Sequence, residues 1–365
     1  MTASPEEVLM SKLFSPFELR SLKIKNRVWL PPMCQYSCAG DGIPVAWHRV
    51  HYASRAVGGA GLLLLEATSV LPEGRITNLD CGLWSDKQIK SYEALTNFMK
   101  VEGAVPGIQL GHAGRKASTS PPWEGGHPIA PKDRRGWQPL APSPIPFGPD
   151  YATPKKMSEK DIEHAVKAFE DAARRALKAG FEVVEIHSAH GYLLHQFLSP
   201  LSNEREDSYG GSLENRMRFP LMVAAAVRKI WPEDKPVFVR ISAMDWVRGG
   251  WDLAQSIPYC KKLKEIGIDL IDVSSGGLVP DAAIKTSPGF QVPFAETIRR
   301  EAKIPTTAVG LITEPRQAED ILVTGKADAV FIGRQLLRDP YWPLRAAHEL
   351  GAEIYWPVAY QRAKY

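Results

Sequence analysis

Short runs of apolar and β-branched residues recur along the chain, separated by longer segments with helical spacing. Most runs lack the alternation of polar and apolar positions, which is typical of strands buried on both faces of a parallel sheet. The pattern predicts eight strands, at residues 28–33, 61–70, 106–110, 183–187, 237–242, 270–273, 306–309 and 327–332.

Four segments between these strands carry helix signals. Ser158 stands three residues before Asp161, a capping spacing, and Gly180 follows the same segment. The predicted helices cover residues 161–179, 215–230, 254–266 and 314–322. Alternation of strand and helix indicates an α/β fold, and eight such units close a barrel. Open dinucleotide-binding sheets carry G-x-G-x-x-G after their first strand, and none follows residues 28–33. We therefore predict a (β/α)8 TIM barrel.

The connection over residues 111–157 is long, polar and rich in proline. A connection of that length inside a compact domain is usually a lid or cap over an active site, so we expect it to cap the barrel. No linker or change of composition divides the chain, which predicts a single domain over residues 12–365. Residues 1–11 are expected to form a disordered extension.

The composition of the chain limits the kinds of molecule that it is expected to bind. The formal net charge is +4, from 45 Lys and Arg against 41 Asp and Glu, without a block of like charges, so neither nucleic acid nor an anionic membrane is expected. The longest apolar stretch, near residues 62–65, is far below the roughly 20 residues that span a bilayer. Four scattered cysteines do not form a disulfide framework, and Cys34 and Cys38 lack the second pair that a zinc site needs. These features predict a soluble, cytoplasmic protein that holds no metal and acts on small molecules.

The end of the fourth predicted strand carries His187-x-x-His190-x-Tyr192. Two imidazoles that converge on one oxygen would polarise a carbonyl and stabilise the enolate formed when a nucleophile adds at its β-carbon. Tyr192 would then donate a proton to the α-carbon. Two alternatives stay open from the residues alone: a metal pair, which normally also needs carboxylates, and a polar strand end with structural histidines.

Other polar residues lie at the ends of the predicted strands, where barrel enzymes build their sites. Gly310 follows the seventh strand and Gly333-Arg334 follow the eighth, where barrels bind phosphate, although a plain turn would look similar. Arg240 lies inside the fifth strand and needs an anionic partner if it does not reach water, which an electron-rich ligand ring would supply. Gln109 has both donor and acceptor and suits the edge of a pyrimidine ring.

Cys34 lies at the mouth of the first strand. Most free cysteines act as small buried apolar residues, and that reading stays open for Cys34. Its position at a strand end favours contact with a bound ligand instead.

Several long motifs resemble the Old Yellow Enzyme flavoproteins, in particular the thermophilic-like bacterial branch that includes xenobiotic reductase A. The resemblance covers nearly the whole chain. Its most specific stretches are Pro32-Met33-Cys34-Gln35-Tyr36, the run from Gln109 to Lys116, and the run from His187 to Asn215.

The resemblance implies a tightly bound FMN. It implies that Pro31, Pro32, Met33 and Cys34 line the flavin, with Cys34 tuning its redox potential, and that the remaining cofactor contacts come from Ala67, Gln109, Arg240, Gly310, Gly333 and Arg334. Pro31 departs from the pattern, since some relatives carry a small hydroxyl residue there, so the flavin hydrogen bond of that side chain is absent.

The resemblance also implies the chemistry. NADPH or NADH reduces FMN, a hydride passes to the C=C bond of an α,β-unsaturated carbonyl compound held by His187 and His190, and Tyr192 protonates the product. Tyr36 would grip the substrate, and nitro compounds and quinones are further expected substrates. Arg362 would reach the active site of a neighbouring subunit in a homodimer or homotetramer.

Two other functions remain as alternatives. A dienoyl-CoA reductase shares an FMN barrel but carries an iron–sulfur cluster, and the clustered cysteines that such a cluster needs are missing here. A barrel that only binds flavin or phosphate would not need Tyr192 and both histidines.

Overall fold

All eight predicted segments form strands in a computed structural model, which describes residues 11–365. In chain order the strands are β1 (Phe17–Leu19), β2 (Leu22–Ile24), β3 (Val28–Leu30), β4 (Leu62–Ser69), β5 (Val105–Gly111), β6 (Leu140–Ala141), β7 (Lys155–Lys156), β8 (Val183–Ser188), β9 (Val237–Ser242), β10 (Leu270–Ser274), β11 (Thr306–Ala308) and β12 (Ala329–Phe331).

The barrel consists of β3, β4, β5, β8, β9, β10, β11 and β12, each parallel to the next. It closes where Val330 and Phe331 of β12 pair with Val28 and Trp29 of β3. This arrangement confirms the (β/α)8 prediction. The first strand stops at Leu30, earlier than predicted, because Pro31 and Pro32 have no N–H to donate to a neighbouring strand.

Helices cover the outside of the barrel. They are α1 (Ala46–Val57), α2 (Ile89–Val101), α3 (Glu159–Lys178), α4 (Leu193–Leu198), α5 (Leu213–Ile230), α6 (Leu253–Ile266), α7 (Val292–Ala302), α8 (Pro315–Val323), α9 (Arg334–Arg338) and α10 (Trp342–Glu349). The four predicted helices correspond to α3, α5, α6 and α8. At the start of α3 the Ser158 hydroxyl accepts the Asp161 N–H at 3.2 Å, and the Asp161 carboxylate accepts the Ser158 N–H at 2.8 Å. These reciprocal bonds satisfy N–H groups that the first helical turn leaves unpaired.

Aromatic side chains fill the lower part of the barrel interior. The Trp29 ring stacks on Phe238 at 6.0 Å and meets the edge of Phe331 at 5.8 Å. Phe17, in the antiparallel hairpin of β1 and β2, lies 5.9 Å from Trp29. The hairpin therefore packs against the amino-terminal end of the barrel, which leaves the carboxyl ends of the strands for polar side chains.

Residues 111–157 form the long excursion that the sequence predicts. Its regular structure is limited to the short parallel pair β6 and β7 and two 3-10 turns, at Gly114–Lys116 and Pro122–Glu124. The excursion contacts the strand ends through Lys116, whose Nζ donates to the His190 carbonyl just after β8 at 3.0 Å. The Phe147 ring lies 4.5 Å from the same Nζ.

The predicted extension lies mostly outside the described residues, since residues 1–10 are not among them. Ser11, its last residue, donates a hydrogen bond to Glu319 at 2.8 Å. Within residues 11–365, no helix combines the length and apolar composition that crossing a bilayer would require.

Candidate active site

His187, His190 and Tyr192 converge at the carboxyl end of β8. The two imidazole rings are 5.2 Å apart, and the Tyr192 ring lies 4.8 Å from that of His187. The turn after β8 brings them together, because His190 adopts a left-handed φ of 57° and Gly191 a φ of 71°. A side chain at Gly191 would collide with the Gly277 carbonyl oxygen, so glycine lets the two loops pack closely.

Both histidines are held neutral. Burial, followed by the positive charge of Arg240, lowers the pKa of His187 and of His190 well below the usual value. The Ala189 N–H donates to His187 Nδ1 at 3.3 Å, which places the proton of the neutral ring on Nε2. His187 can therefore donate a hydrogen bond without carrying a charge.

His190 is oriented by the end of β10. Its Nε2 lies 2.7 Å from the Ser274 hydroxyl. That hydroxyl is also 3.3 Å from Gln291 Oε1, but the Ser275 hydroxyl already donates to this oxygen at 2.6 Å. A proton on Nδ1 of His190 requires that Ser274 donates to Nε2, the closer of its two contacts. Sequence reasoning missed Ser274, because a serine at a strand end carries no distinctive motif.

Tyr192 lies beside the partly buried ammonium group of Lys116. Lys116 Nζ is 5.1 Å from the centre of its ring and donates 3.0 Å hydrogen bonds to the carbonyls of His190 and Gly277. Burial, then the charges of Cys34 and Asp80, raise the pKa of Tyr192 well above its usual value, so the phenol keeps its proton. The ammonium group would stabilise the phenolate that forms when this proton leaves.

The segment after β3 brings its predicted residues to the same end of the barrel. Pro31 and Pro32 are buried, whereas Met33 and Cys34 are partly exposed. Tyr36 has a left-handed φ of 49°, a strained conformation for a tyrosine. The pKa of Tyr36 is raised by electrostatic interaction with Cys34, then by burial, and then by interaction with Tyr192. Interaction with both Cys34 and Tyr192 implies that the three side chains lie near one another.

A polar network occupies the upper barrel interior. Gln109 Nε2 donates to Glu185 Oε1 at 2.8 Å, and the Thr307 hydroxyl donates to Asp272 Oδ1 at 2.9 Å. Arg240 Nε lies 2.9 Å from Asp272 Oδ2. Arg240 therefore has an anionic partner within the protein and does not depend on a ligand for it, and its contact with a cofactor stays a prediction. Glu185 was missed because it resembles any other residue of a buried strand.

Gly310, Gly333 and Arg334 line one cleft, of about 170 Å³, at the ends of β11 and β12. Gly310 has a φ of 116°, which only glycine adopts readily. A guanidinium beside flexible backbone N–H groups suits a phosphate. The remaining predicted contact from the second strand, Ala67, lines a small cavity that also touches His187 and Tyr192.

Arg362 lies apart from these residues. It is exposed, in a 3-10 segment (Val358–Ala363) near the carboxyl terminus. The expectation that it enters a neighbouring subunit stays a prediction.

Comparisons with known proteins agree on one family. The model of the NADH:flavin oxidoreductase / NADH oxidase family matches residues 12–353. An NADPH dehydrogenase from Geobacillus thermodenitrificans is 53% identical over 96% of this chain and 98% of that protein. The NADPH dehydrogenase of Bacillus subtilis strain 168 is 48% identical, with the same coverage. Among solved structures, morphinone reductase matches with a TM-score of 0.79 and 29% identity, covering 96% of this chain and 92% of the other.

Proposed function

The chain belongs to the NADH:flavin oxidoreductase / NADH oxidase family, and from this membership we propose that it reduces the activated C=C bond of α,β-unsaturated carbonyl compounds. As a member it is an FMN-dependent oxidoreductase that draws electrons from a nicotinamide cofactor. The substrate class and the roles of individual residues are the proposed part.

The described residues fit FMN. The cleft of Gly310, Gly333 and Arg334 would hold the phosphate. Gln109 uses its amide nitrogen on Glu185, and its amide oxygen would accept from the pyrimidine edge. Nε of Arg240 faces Asp272, and the other two guanidinium nitrogens, which make no hydrogen bond within the described residues, would contact the electron-rich ring edge. Pro31, Pro32, Met33, Cys34 and Ala67 would complete the walls around the ring.

FMN, once reduced by NADPH or NADH, supplies the hydride. The protein would supply the hydrogen bonds to the substrate and the proton. His187 would donate through Nε2–H and His190 through Nδ1–H to the carbonyl oxygen of the substrate. Because both rings are neutral and held in place, these bonds strengthen as the oxygen becomes negative, and they cost no reorganisation during the reaction.

Tyr192 would donate its proton to the α-carbon, and Lys116 would stabilise the resulting phenolate. Tyr36, held near Cys34 and Tyr192, would pack against the substrate. Arg362 of a neighbouring subunit would close the site in a homodimer or homotetramer. Nitro compounds and quinones, whose oxygens also accept hydrogen bonds, would be alternative oxidants.

The observation that carries the proposal is the convergence of two neutral imidazoles and one phenol at a strand end, with the rings of His190 and Tyr192 within 5.2 Å of that of His187. A metal pair needs further ligands, and the nearby Ser274 hydroxyl instead orients His190 for hydrogen bonding. The arrangement can bind a carbonyl oxygen and deliver a proton, which are the two tasks of the proposed reaction.

The test is stopped-flow reoxidation of the reduced enzyme by 2-cyclohexenone. Removing one oxyanion donor typically costs on the order of 3 kcal/mol, about a hundredfold in rate, so the His187→Ala/His190→Ala variant should react at least a hundredfold more slowly. His164→Ala, on the outer helix α3, is the matched control. Reoxidation by ferricyanide, which has no carbonyl group, should keep its parental rate. A double variant that retains FMN and reduces cyclohexenone at the parental rate would refute the assignment.

A further inference from the structure

Two thiols and an imidazole meet outside the proposed active site. Cys38 Sγ lies 3.4 Å from Cys81 Sγ, and His48 Nε2 lies 3.4 Å from Cys81 Sγ and 4.0 Å from Cys38 Sγ. All three side chains are buried. They come from the segment after β3, from α1 and from the segment after β4, so only the fold brings them together. None takes part in the proposed reduction.

The possible ligand atoms of the three side chains lie within 4.8 Å of one another, close enough to surround a metal ion. The protonation of the imidazole, however, does not suit metal binding. The Val45 N–H donates to His48 Nδ1 at 2.9 Å, which places a lone pair on Nδ1. The proton of the neutral ring is then on Nε2, the atom that faces the sulfurs, whereas a metal ligand needs a lone pair there. His48 is therefore a hydrogen-bond donor to its neighbours.

Its neighbours are acids. His48 Nε2 also lies 3.3 Å from Glu66 Oε1. Burial lowers the pKa of His48, whereas its contacts with Cys38 and Glu66 raise it. Because the Val45 N–H donates to Nδ1, that atom keeps its lone pair, and the ring stays neutral and donates through Nε2. The hydrogen bond from Cys81 lowers the pKa of Cys38 against the effect of burial, and His48 lowers it further. Burial raises the pKa of Cys81. Cys38 is accordingly the sulfur that more readily becomes a thiolate, and Cys81 remains a thiol beside it.

We propose that Cys38 and Cys81 form a redox-sensitive pair, which a hydroperoxide converts into a reversible disulfide. The Cys38 sulfur attacks one oxygen of hydrogen peroxide, the O–O bond breaks, and the departing oxygen leaves as water, giving a sulfenic acid. The Cys81 sulfur then attacks the Cys38 sulfur, the S–O bond breaks, and a second water leaves with the Cys81 proton. The thiols lose two electrons and two protons, and the peroxide is reduced to two waters.

The surrounding backbone already suits this bond. The Cys38 N–H donates to the Leu79 carbonyl and the Gly82 N–H to the Gly42 carbonyl, both at 2.9 Å. The two segments are thus paired on either side of the thiols, and the sulfurs must approach by only about 1.4 Å to reach disulfide length. Ala39, next to Cys38, is exposed, so a small peroxide has a short path inward.

The bond would affect the segment that carries Cys34 and Tyr36. The Gln35 N–H donates to Glu66 Oε2 at 2.7 Å, and Glu66 is the carboxylate that contacts His48. A disulfide would tether this segment to the chain after β4 and close a loop that contains α1 and β4. Cross-linking a loop of that size restricts the unfolded chain, so the oxidised protein should melt at a higher temperature.

The experiment treats the holoenzyme with hydrogen peroxide, denatures and alkylates it, and maps its peptides without reductant. We expect a cross-linked peptide joining Cys38 and Cys81, a rise of at least about 3 °C in Tm, and recovery of both free thiols with a phosphine reductant. Recovery of Cys38 and Cys81 alkylated in full, while Cys34 is oxidised, would overturn the proposal. So would one equivalent of bound metal in the purified enzyme that shields both thiols until a chelator removes it.

Variants separate the roles of the three groups. Cys38→Ser should abolish the cross-link and the rise in Tm, whereas Cys260→Ser, which alters a buried cysteine in α6, should leave both unchanged. His48→Gln should slow cross-linking at neutral pH at least tenfold, while the control His51→Gln, on the same helix, should not. Equal cross-linking rates in the two histidine variants would remove His48 from the proposal. If a variant fails to fold, the peptide map of the unaltered enzyme still decides whether the disulfide forms.

Discussion

Arg240 and Asp272 face each other on neighbouring strands β9 and β10, with Nε of the arginine 2.9 Å from Oδ2 of the aspartate. Both are buried, and the N–H does not point at the oxygen, so the contact is an ion pair rather than a hydrogen bond. Arg240 is also the register partner of His187 on β8. The pair therefore places a compensated positive charge directly beside the imidazoles, where it helps to keep them neutral.

Asp272→Asn should destabilise the protein far more than the loss of an exposed ion pair of the same length. The change leaves the Arg240 charge buried without its partner, and we expect the free energy of unfolding to fall by about 3 kcal/mol. Glu124→Gln is the control, because Glu124 and Arg135 are also 2.9 Å apart but exposed, and its loss should cost less than about 1 kcal/mol. Chemical denaturation measures both, and equal losses would contradict the burial argument.

Tyr192→Phe should slow the half-reaction in which the substrate is protonated and leave the reduction of the flavin unaffected. Reduction by NADPH should be nearly unchanged, whereas reoxidation by cyclohexenone should slow about a hundredfold or more, since the general acid is lost. Stopped-flow absorbance follows both half-reactions. Tyr151→Phe, which removes a hydroxyl from the cap, should have little effect. A Tyr192→Phe variant that reduces cyclohexenone at full rate would assign the proton to another donor.

Ser274→Ala should weaken the hydrogen bond that His190 donates to the substrate, while the imidazole itself stays in place. The serine hydroxyl is the group that favours a proton on Nδ1, and without it the ring can turn or exchange its tautomer. We expect reoxidation by cyclohexenone to slow about tenfold, equivalent to ~1.4 kcal/mol. Ser275→Ala removes the neighbouring hydroxyl, which bonds Gln291 rather than His190, and should retain most of the rate. Similar losses in both variants would point to a general disturbance of the loop.

Lys116 should give the enone reaction a dependence on pH. Burial, and then the nearby Arg115 charge, lower the pKa of Lys116 to about 8. Below that pH the ammonium is charged and stabilises the Tyr192 phenolate; above it the charge is lost, so the rate should fall as pH rises through about 8. The pKa of Tyr192 is raised, so the phenol itself does not titrate there.

The matching variants fix the origin of that change. Lys116→Met should react about tenfold more slowly below pH 8 and show no inflection. Lys116→Arg keeps its charge in alkaline solution and should hold a high rate past pH 8. Stopped-flow reoxidation by cyclohexenone between pH 6 and 9 provides the profiles, and an inflection that persists in Lys116→Met would assign it to another group.

Arg334→Gln should weaken the binding of FMN. A hydrogen bond to a charged group contributes about 1.5–3 kcal/mol, so the Kd should rise roughly ten- to hundredfold. Titration of the apoprotein, followed by quenching of FMN fluorescence, measures the Kd. Riboflavin, which has no phosphate, should bind both forms equally. Arg316→Gln, an exposed change in α8, is the control, and equal FMN affinity in the two variants would place the phosphate elsewhere.

The order of elements in the barrel was predictable from the sequence because each strand is buried on both faces and leaves an uninterrupted apolar run. Helix α3 was predictable because Ser158 and Asp161 supply its cap locally. Six helices escaped prediction, namely α1, α2, α4, α7, α9 and α10, and strand ends shifted by a few residues. His187, His190 and Tyr192 stood out because three chemically active side chains occur within six positions at the end of one strand.

Contacts between residues far apart in the chain were settled only by the tertiary structure. Asp272 became the partner of Arg240 because adjacent strands pair in one register, and Ser274 reached His190 across two loops. Cys81 and His48 joined Cys38 although the scattered cysteines had argued against a disulfide framework, and the spacing of Cys34 and Cys38 against a zinc site. Local patterns encode which segments are buried, since burial depends on each residue's own polarity. Contacts between residues that are distant in sequence depend on how the chain folds back on itself, and their spacing along the sequence does not predict them.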